Sequence, residues 1–334
     1  MNPEESCWCG PTGIAPVLQV HPSRLCNLAC AHCYTSSGPR EQGELPWEIL
    51  ADCLNDAYKL GYRQLAVSGG EPLLYRSLVN LLSRARALGM ITTVTSNGLL
   101  LSRDALQPLA PWVHFMAISI DGRPGEHDAL RCRKGAFDGT VENLANLRAA
   151  GVAFGFIFTL TQHNIDSLEF VVRLAAAQGA KRVQVHPLTL HGRALKTLPG
   201  ARPDGVELVA ALLEASRLGD ELGVPVQVDA LTVEQLLEYR SHVVPERPIT
   251  QLIQIAPVLV VEADGVVMPL THEISRSLKL GSLYEARLQW LAECWLAMDQ
   301  GERLADACER TWSELSANVD SPAVYWYDEV AART

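Results

Sequence analysis

The chain has 334 residues, 48% of them hydrophobic and 20% charged, and a formal net charge of −10 at pH 7. This composition excludes a disordered or fibrous chain, and the length suggests about two domains. An acidic chain without a long basic run is poorly suited to a nucleic acid backbone, so we expect no nucleic acid partner. No apolar stretch reaches the ~18 residues of a membrane helix, and the first residues lack a signal-peptide pattern. We therefore expect no membrane association and a cytoplasmic location.

Strand and helix periodicities alternate between residues 17 and 222. Strands are predicted at residues 17–21, 64–68, 91–95, 113–120, 153–160 and 182–186. Helices are predicted at residues 46–61, 75–88, 102–109, 138–150, 165–178 and 203–222. Such alternation favours parallel strands with crossover helices, in an open doubly wound sheet or a partial barrel. In both, ligands bind at the carboxyl ends of the strands. Asn164 is predicted to cap the helix that follows it.

The alternation ends after residue 223. Residues 225–228 are compatible with one more strand, and residues 255–268 predict a β-hairpin around an Ala-Asp-Gly turn. Two further helices are predicted near the C-terminus, at residues 284–298 and 302–318. We therefore expect an N-terminal segment (1–16), an α/β core (17–223) and a small α+β extension (224–334).

Three of the nine cysteines, Cys26, Cys30 and Cys33, directly follow the first predicted strand. A chain without a secretory signal should keep its thiols reduced, so clustered cysteines more often bind metal than form disulfides. Three thiolates suit zinc or an iron–sulfur cluster. A cubane cluster requires four ligands, so three cysteines would leave one iron open to a small molecule. The alternative is a structural zinc site with His32 or a distant cysteine as fourth ligand.

A second pattern, Ser-Gly-Gly-Glu-Pro, directly follows the second predicted strand. Paired glycines let the backbone approach a ligand closely, and the carboxylate of Glu71 could accept a hydrogen bond from an ammonium group. The alternative for these glycines is a simple turn.

The spacing C-x3-C-x2-C followed by Gly-Gly-Glu-Pro after the next strand closely resembles the radical S-adenosylmethionine (radical SAM) enzymes. The resemblance covers about residues 17–222 and implies a partial (β/α)6 barrel. It implies that Cys26, Cys30 and Cys33 hold a [4Fe–4S] cluster, whose remaining iron is chelated by the amino and carboxylate groups of SAM. It makes zinc the less favoured metal and implies an electron donor of the flavodoxin or ferredoxin type.

The same resemblance implies cofactor contacts in the loops after the first, second and sixth strands. His32 and Leu188 would lie near the adenine. Gly69, Gly70 and Glu71 would meet the methionyl amino group.

Further contacts are implied after the third and fourth strands. Ser96 and Asn97 would line the methionine or ribose, and Ser119 and Asp121 would contact the ribose. Arg131 would pair with the SAM carboxylate, a role that suits a planar guanidinium. The alternatives are a turn pair at Asn97, a turn cap at Asp121 and a solvated side chain at Arg131.

The motifs Ser-Ile-Asp-Gly, Glu-His-Asp and His-Gly-Arg-Ala resemble the peptide- and cofactor-maturing branch of the family, which carries a C-terminal SPASM or twitch extension. Position 270, where that branch has a cysteine, is Leu270, and only Cys294 and Cys308 remain near the C-terminus. We therefore expect a degenerate extension without auxiliary clusters. In the alternative, Cys7 and Cys9 join those two cysteines at a second cluster.

The resemblance implies reductive cleavage of SAM to a 5′-deoxyadenosyl radical, which abstracts a substrate hydrogen. The branch favours a ribosomally made peptide as substrate, modified by crosslinking or epimerisation. No leader-binding domain precedes the core in this sequence, which either weakens the case for a peptide or places leader binding on a separate protein. The alternatives are a small-molecule cofactor or antibiotic precursor, and a non-catalytic iron–sulfur or zinc scaffold. His186 and His191 are expected to be packed or surface residues, with acid–base groups facing the cavity as the alternative. The aromatic residues 325–327 are expected to pack as core or lid, with a substrate platform as the alternative.

Overall fold

A computed structural model describes residues 15–317 and 322–334, and within them the chain is an α/β fold on one mixed ten-stranded sheet. The strands are β1 (Val17–Val20), β2 (Gln64–Val67), β3 (Ile91–Ser96), β4 (Phe115–Ser119), β5 (Phe154–Leu160), β6 (Val183–Pro187), β7 (Val226–Val228), β8 (Leu231–Thr232), β9 (Val258–Val261), β10 (Val266–Pro269), β11 (Gly281–Ser282) and β12 (Ala323–Val324). The helices are α1 (Trp47–Lys59), α2 (Leu78–Ala87), α3 (Arg103–Leu106), α4 (Pro124–Arg131), α5 (Ala136–Ala149), α6 (Leu168–Gln178), α7 (Ala194–Thr197), α8 (Gly205–Leu222), α9 (Val233–Glu238), α10 (Arg240–Val243), α11 (Leu252–Ile255), α12 (Leu288–Ala297), α13 (Gln300–Ala317) and α14 (Trp326–Ala331).

The strand order of the large sheet is β11-β10-β9-β1-β2-β3-β4-β5-β6-β7. All neighbours from β9 to β7 pair in parallel, whereas β10 and β11 are antiparallel additions at one edge. The six predicted parallel strands are therefore confirmed, in the order expected from consecutive right-handed crossovers. In the described part of the chain the sheet stays open, with β11 and β7 at its two edges.

The two faces of the strands have different surroundings. Leu18 and Val20 of β1 are fully buried and share a core with Leu50 and Leu54 on the inner side of α1. Gln19 lies between them, on the opposite face, and lines a cavity. This follows from the period of two along a strand. Burial of each such leucine contributes about 1.5–3 kcal/mol, so the helix-covered face stabilises the fold and leaves the other face for chemistry.

Asn164 stands at the N-cap position of a 3-10 turn, but its side chain makes no capping bond, so the predicted cap of α6 is wrong. A short 3-10 turn precedes α6, which begins only at Leu168. The side chain of Asn164 instead accepts from the backbone N–H of Thr161 at 2.7 Å and donates to the carbonyl of Asp121 at 3.0 Å. A long-range tie between two loops thus replaces the local capping bond that the sequence suggested.

The predicted hairpin is confirmed as β9 and β10, and β9 pairs in parallel with β1. The predicted additional strand is β7, which pairs with β6. Side chains also cross between the two parts of the chain. Tyr62 Oη donates to the carbonyl of Ala256 at 2.7 Å, and Arg287 Nη2 lies 2.8 Å from Asp56 Oδ1. The hydrogen-bonded sheet therefore continues across the predicted boundary at residue 223.

None of the helices in the described residues combines the length and the apolar character that crossing a bilayer requires.

Candidate active site

The cysteine loop, defined here as residues 26–37, follows β1 at its carboxyl end. Cys26 and Cys30 are 9% and 8% exposed, Cys33 is partly exposed, and all three are free thiols. Burial raises the pKa of Cys26 to about 12 and also raises the pKa of Cys30. A thiol in such surroundings ionises when a cation binds it. The loop therefore suits a positively charged metal group better than a free reactive thiolate.

Zinc and an iron–sulfur cluster place different demands on cysteine ligands. The loop offers three of them, Cys26, Cys30 and Cys33. A structural zinc needs four such ligands around a single ion, whereas each cysteine of a cubane binds a different iron. His32, the alternative zinc ligand, lies with its Nε2 3.7 Å from Asp121 Oδ2. The donor set therefore fits a cluster.

Gly69 and Gly70 are required by contacts within the chain. A Cβ at Gly70 would lie 2.2 Å from the carbonyl oxygen of Leu25, and Gly69 has a φ of +98°. The backbone N–H groups of Gly70 and Glu71 donate to the carbonyls of Ser23 and Leu25, each at 2.9 Å. The glycines therefore let the loop after β2 pack directly on the segment that leads into the cysteine loop. Their contact with a ligand stays a prediction.

Glu71 joins the loops after β2 and β3. Its carboxylate is buried and accepts from Ser96 Oγ at 2.9 Å, from the N–H of Asn97 at 2.9 Å and from the N–H of Leu73 at 3.3 Å. Burial raises the pKa of Glu71 to about 7, although the three donors favour the ionised form. The carboxylate thus fixes the position of the Ser96-Asn97 turn.

Asn97 extends this link to the cysteine loop. Its Nδ2 donates to Asn27 Oδ1 at 2.7 Å and lies 3.9 Å from Cys26 Sγ. Asn97 is therefore more than a turn residue. Nδ2 of Asn27 is buried and has no hydrogen-bond partner within the described residues. Because buried amides are normally paired, a polar ligand bound beside Cys26 would supply the missing partner.

A buried ion pair connects α4 with the end of β4. Arg131 Nε lies 2.7 Å from Asp121 Oδ2, and the two side chains are 9% and 0% exposed. Arg131 Nη1 lies 3.8 Å from Cys30 Sγ. Burial alone would raise the pKa of Asp121, but Arg131, His32 and His127 hold it at about 2. Asp121 is therefore an anion at neutral pH, and Arg131 is not a solvated surface residue.

His127 supports Asp121, a role that the sequence analysis did not assign. Its Nδ1 accepts from the backbone N–H of Asp121 at 3.1 Å, and burial lowers the pKa of His127 to about 4, so the ring is a neutral acceptor. Thr159 donates its N–H to Asp121 Oδ1 at 3.2 Å. The signal in the sequence was a histidine in the first turns of a helix that directly follows Ser-Ile-Asp-Gly.

Arg193, in the loop after β6, holds the cysteine loop, and the sequence analysis did not find this role. Its backbone N–H donates to the carbonyl of Cys33 at 2.9 Å, and Nη1 donates to that of Cys30 at 2.8 Å. Nη2 donates to the carbonyls of Ser36 at 3.1 Å and Ser37 at 2.6 Å. One side chain thus satisfies three carbonyls of a loop that has little secondary structure of its own.

Gly192 and Thr197, on either side of Arg193, also pack on the cysteine loop. Gly192 has a φ of +58°, and a Cβ there would lie 2.1 Å from the carbonyl oxygen of Tyr34. Thr197 Oγ1 donates to the carbonyl of Ala31 at 2.6 Å. The His-Gly-Arg-Ala motif, noted in the sequence only as a branch feature, therefore packs on the cysteine loop.

Two predicted residues lie apart from this network of contacts. Ser119 is buried at the end of β4. Leu188 packs after β6 in a small cluster with Ala194 and Ala201. Their contacts with SAM stay predictions.

The extension is consistent with a degenerate cluster domain. Leu270 is buried in the core where a cysteine was expected, and Cys308 is buried in the same core. Cys294 is partly exposed on α12. Cys7 and Cys9 lie outside the described residues, so the alternative of a second cluster stays open.

The sheet face opposite the helices lines a cavity of about 340 Å³. Tyr34 and Ser68, the chain neighbours of Cys33 and Gly69, line it, so the cavity extends to the predicted cofactor site. The aromatic residues 325–327 line it too, and their role as core or lid stays a prediction. No lysine or arginine is among the lining residues in the described part of the chain.

His186 lines the cavity, as the alternative of an acid–base group requires, and a catalytic role for it stays a prediction. Its Nδ1 lies 2.9 Å from Asp229 Oδ2, which also accepts from Gln184 Nε2 at 2.6 Å. Burial lowers the pKa of His186, but the bond to Asp229 outweighs that effect and the pKa is raised. The ring meets that of Tyr325 edge-on at 5.3 Å.

Several known proteins are similar in sequence to this chain. The family described as "Radical SAM superfamily" matches residues 20–175. Fe-coproporphyrin III synthase of Methanosarcina barkeri is 30% identical over 223 residues, which are 66% of this chain and 55% of that protein. PqqA peptide cyclase of Ruegeria pomeroyi is 30% identical over 204 residues, 60% of this chain and 54% of that protein. The chain thus spans about half the length of the curated relatives it matches.

The fold is shared with solved structures. Native anSMEcpe with bound AdoMet and the Cp18Cys peptide has a TM-score of 0.64 and 17% sequence identity, and the match covers 95% of this chain and 96% of that chain. At this identity the likeness concerns the fold. Separately, residues 20–175, just under half of the chain, match the radical SAM superfamily, whose enzymes use a [4Fe–4S] cluster and SAM.

Proposed function

We propose that this enzyme cleaves SAM reductively at a [4Fe–4S] cluster and uses the resulting 5′-deoxyadenosyl radical to take a hydrogen atom from a peptide. The observation that carries the proposal is the connection between four loops at the carboxyl ends of β1 to β4. Glu71 holds Asn97, Asn97 contacts Cys26, and Arg131 bridges Asp121 and Cys30. Each loop supplies one part of a single polar site.

In this proposal Cys26, Cys30 and Cys33 hold the cluster. The carboxylate of Glu71 faces the SAM ammonium, and the remaining N–H groups of Arg131 face the SAM carboxylate. Asp121 is already ionised, so it keeps Arg131 in place and remains an acceptor for ribose hydroxyls. The remaining assigned contacts are those of His32, Gly69, Gly70, Ser96, Asn97, Ser119 and Leu188.

The cavity supports a peptide over a tetrapyrrole. Relatives of both kinds exist, as the names Fe-coproporphyrin III synthase and PqqA peptide cyclase state. A tetrapyrrole with carboxylate side chains needs cationic partners, because a buried unpaired carboxylate is costly. The lining residues of the described chain include no lysine or arginine, and the raised-pKa ring of His186 already faces Asp229. We therefore propose a ribosomally made peptide, crosslinked or epimerised, with a flavodoxin- or ferredoxin-type electron donor and a separate leader-binding protein.

The test is anaerobic. The protein is reconstituted with iron and sulfide, SAM and dithionite are added, and 5′-deoxyadenosine is quantified. Wild type should form it, and Cys30→Ala should not. Cys132→Ala, which removes an exposed cysteine, is the matched control and should behave as wild type. Wild-type protein that holds its cluster but forms no 5′-deoxyadenosine, alone or with candidate peptides, would favour the scaffold alternative.

A further inference from the structure

Two carboxylates in the cavity differ in how fully neighbouring groups satisfy their oxygens. Asp229 and Glu273 both line it. Asp229 is balanced, because Gln184 donates to its Oδ2 and His186 lies within hydrogen-bond distance of the same oxygen. Glu273 is satisfied less completely, because its Oε1 has no hydrogen-bond partner in the described residues.

The side chain of Glu273 is 7% exposed, and its Oε1 has no hydrogen-bond partner in the described residues. The nearest cationic candidate is His272, whose Nε2 lies 3.7 Å away. Burial holds the pKa of His272 well below its usual range, so this ring is neutral. A buried acceptor without a donor is costly, and native structures usually supply one.

The other groups around Glu273 do not place a positive charge at its Oε1. Thr189 offers a hydroxyl, and Asp328 is a second carboxylate that interacts with Glu273 and is itself paired with Arg202. Burial first, and then the charge of Asp328, raise the pKa of Glu273 to about 7, against the opposing effects of Thr189 and His186. Tyr325 and His186 complete the surroundings as cavity residues. Above neutral pH the carboxylate of Glu273 is therefore ionised, and its Oε1 is the oxygen without a hydrogen-bond partner in the described residues.

We propose that Glu273 Oε1 is the docking point for a cationic side chain of the substrate, so that the peptide presents a lysine or arginine in this cavity. The proposal rests on the peptide-modifying function argued above. An ammonium or guanidinium would supply the missing donor and the missing positive charge together. A cavity of about 340 Å³ lies within the range of small-ligand sites and suits one long side chain.

The test uses two probes that differ only in the charged group, N-acetyl-lysine amide and N-acetyl-norleucine amide. Dissociation constants are measured by anaerobic calorimetry on the reconstituted protein with SAM, at pH 8. We expect wild type to bind the lysine probe about tenfold more tightly. Glu273→Gln should abolish that preference. Glu285→Gln, an exposed carboxylate of the same extension, is the matched control and should keep it.

A measurement on wild type alone covers the case in which Glu273→Gln does not fold. At pH 6 Glu273 holds a proton and His186 is charged, so the preference for lysine should shrink. Three outcomes would overturn the docking point. They are equal binding of both probes, no binding of either, and a preference for the lysine probe that is unchanged in Glu273→Gln or at pH 6. Dithionite is then added to the same samples, and formation of 5′-deoxyadenosine separates this failure from failure of the proposed function.

Discussion

At the scale of single residues, the ion pair of Arg131 and Asp121 has the largest energetic consequence near the cysteines. Both side chains are buried. Arg131→Met would leave a buried carboxylate without its cation, and breaking such a pair costs about 3–5 kcal/mol. We expect a loss of stability of that order in urea unfolding at pH 7. In Arg131→Met/Asp121→Asn no buried charge remains, so the loss should be smaller. Equal losses in the two variants would contradict this account.

The same pair gives a pH dependence with a defined sign. The pKa of Asp121 is about 2, below its usual value of 3.8. A carboxyl with a depressed folded-state pKa stabilises the protein above its unfolded pKa, and that contribution is lost as the pH falls from about 4 to 2. In Arg131→Met the pKa of Asp121 should rise, so stability should fall at higher pH. If the free energy of unfolding of that variant falls over the same acid pH range as in wild type, Asp121 is ionised for another reason.

At the scale of elements, the loop after β6 should set the kinetic stability of the cluster. Arg193 donates to three carbonyls of the cysteine loop through its guanidinium, and charge-assisted bonds contribute about 1.5–3 kcal/mol each. Arg193→Met keeps the aliphatic stem and removes these donors. We expect iron release to a chelator, followed by absorbance under anaerobic conditions, to become roughly tenfold faster or more.

Two further variants serve as comparisons for the rate of iron release. Arg193→Lys keeps one cation and should recover part of the difference. Arg133→Met, at an exposed arginine, should release iron as wild type does. A purely structural role would lower the unfolding midpoint without changing the rate of iron release from folded protein. The absence of a rate difference would therefore contradict a role in holding the loop.

The elements also show what the sequence could predict. The six strands were predictable because buried parallel strands leave continuous runs of apolar and β-branched residues, as in β5. The cysteines and Glu71 were predictable because their spacing is local. The tie of Asn164 to Asp121 and the contacts of Arg193 join residues 43 and more than 150 positions apart, and no local pattern encodes such pairs. Glu273 was missed for the same reason, since its surroundings come from separate loops.

At the scale of the whole molecule, the extension and the core share one sheet. β9 pairs with β1 along its full length, from Val17 opposite Val258 to Val20 opposite Val261. A core cut after residue 223 would expose both β1 and the face of α1 that α12 covers, and an open strand edge is a liability. We therefore expect the two parts to unfold together, although they were distinct units in the sequence.

Tyr62→Phe tests this cooperativity. The hydroxyl of Tyr62, a residue of the predicted core, donates to the carbonyl of Ala256 in the extension at 2.7 Å, and both residues are fully buried. Removing it leaves a buried carbonyl without its donor, which costs about 1–3 kcal/mol. Hydrogen exchange in increasing denaturant should show β1 and β9 losing protection at the same concentration, and Tyr62→Phe should lower that concentration equally for both. Loss of protection in β9 while β1 stays protected would mean that the extension is an independent unit, because strands of one cooperative sheet open together.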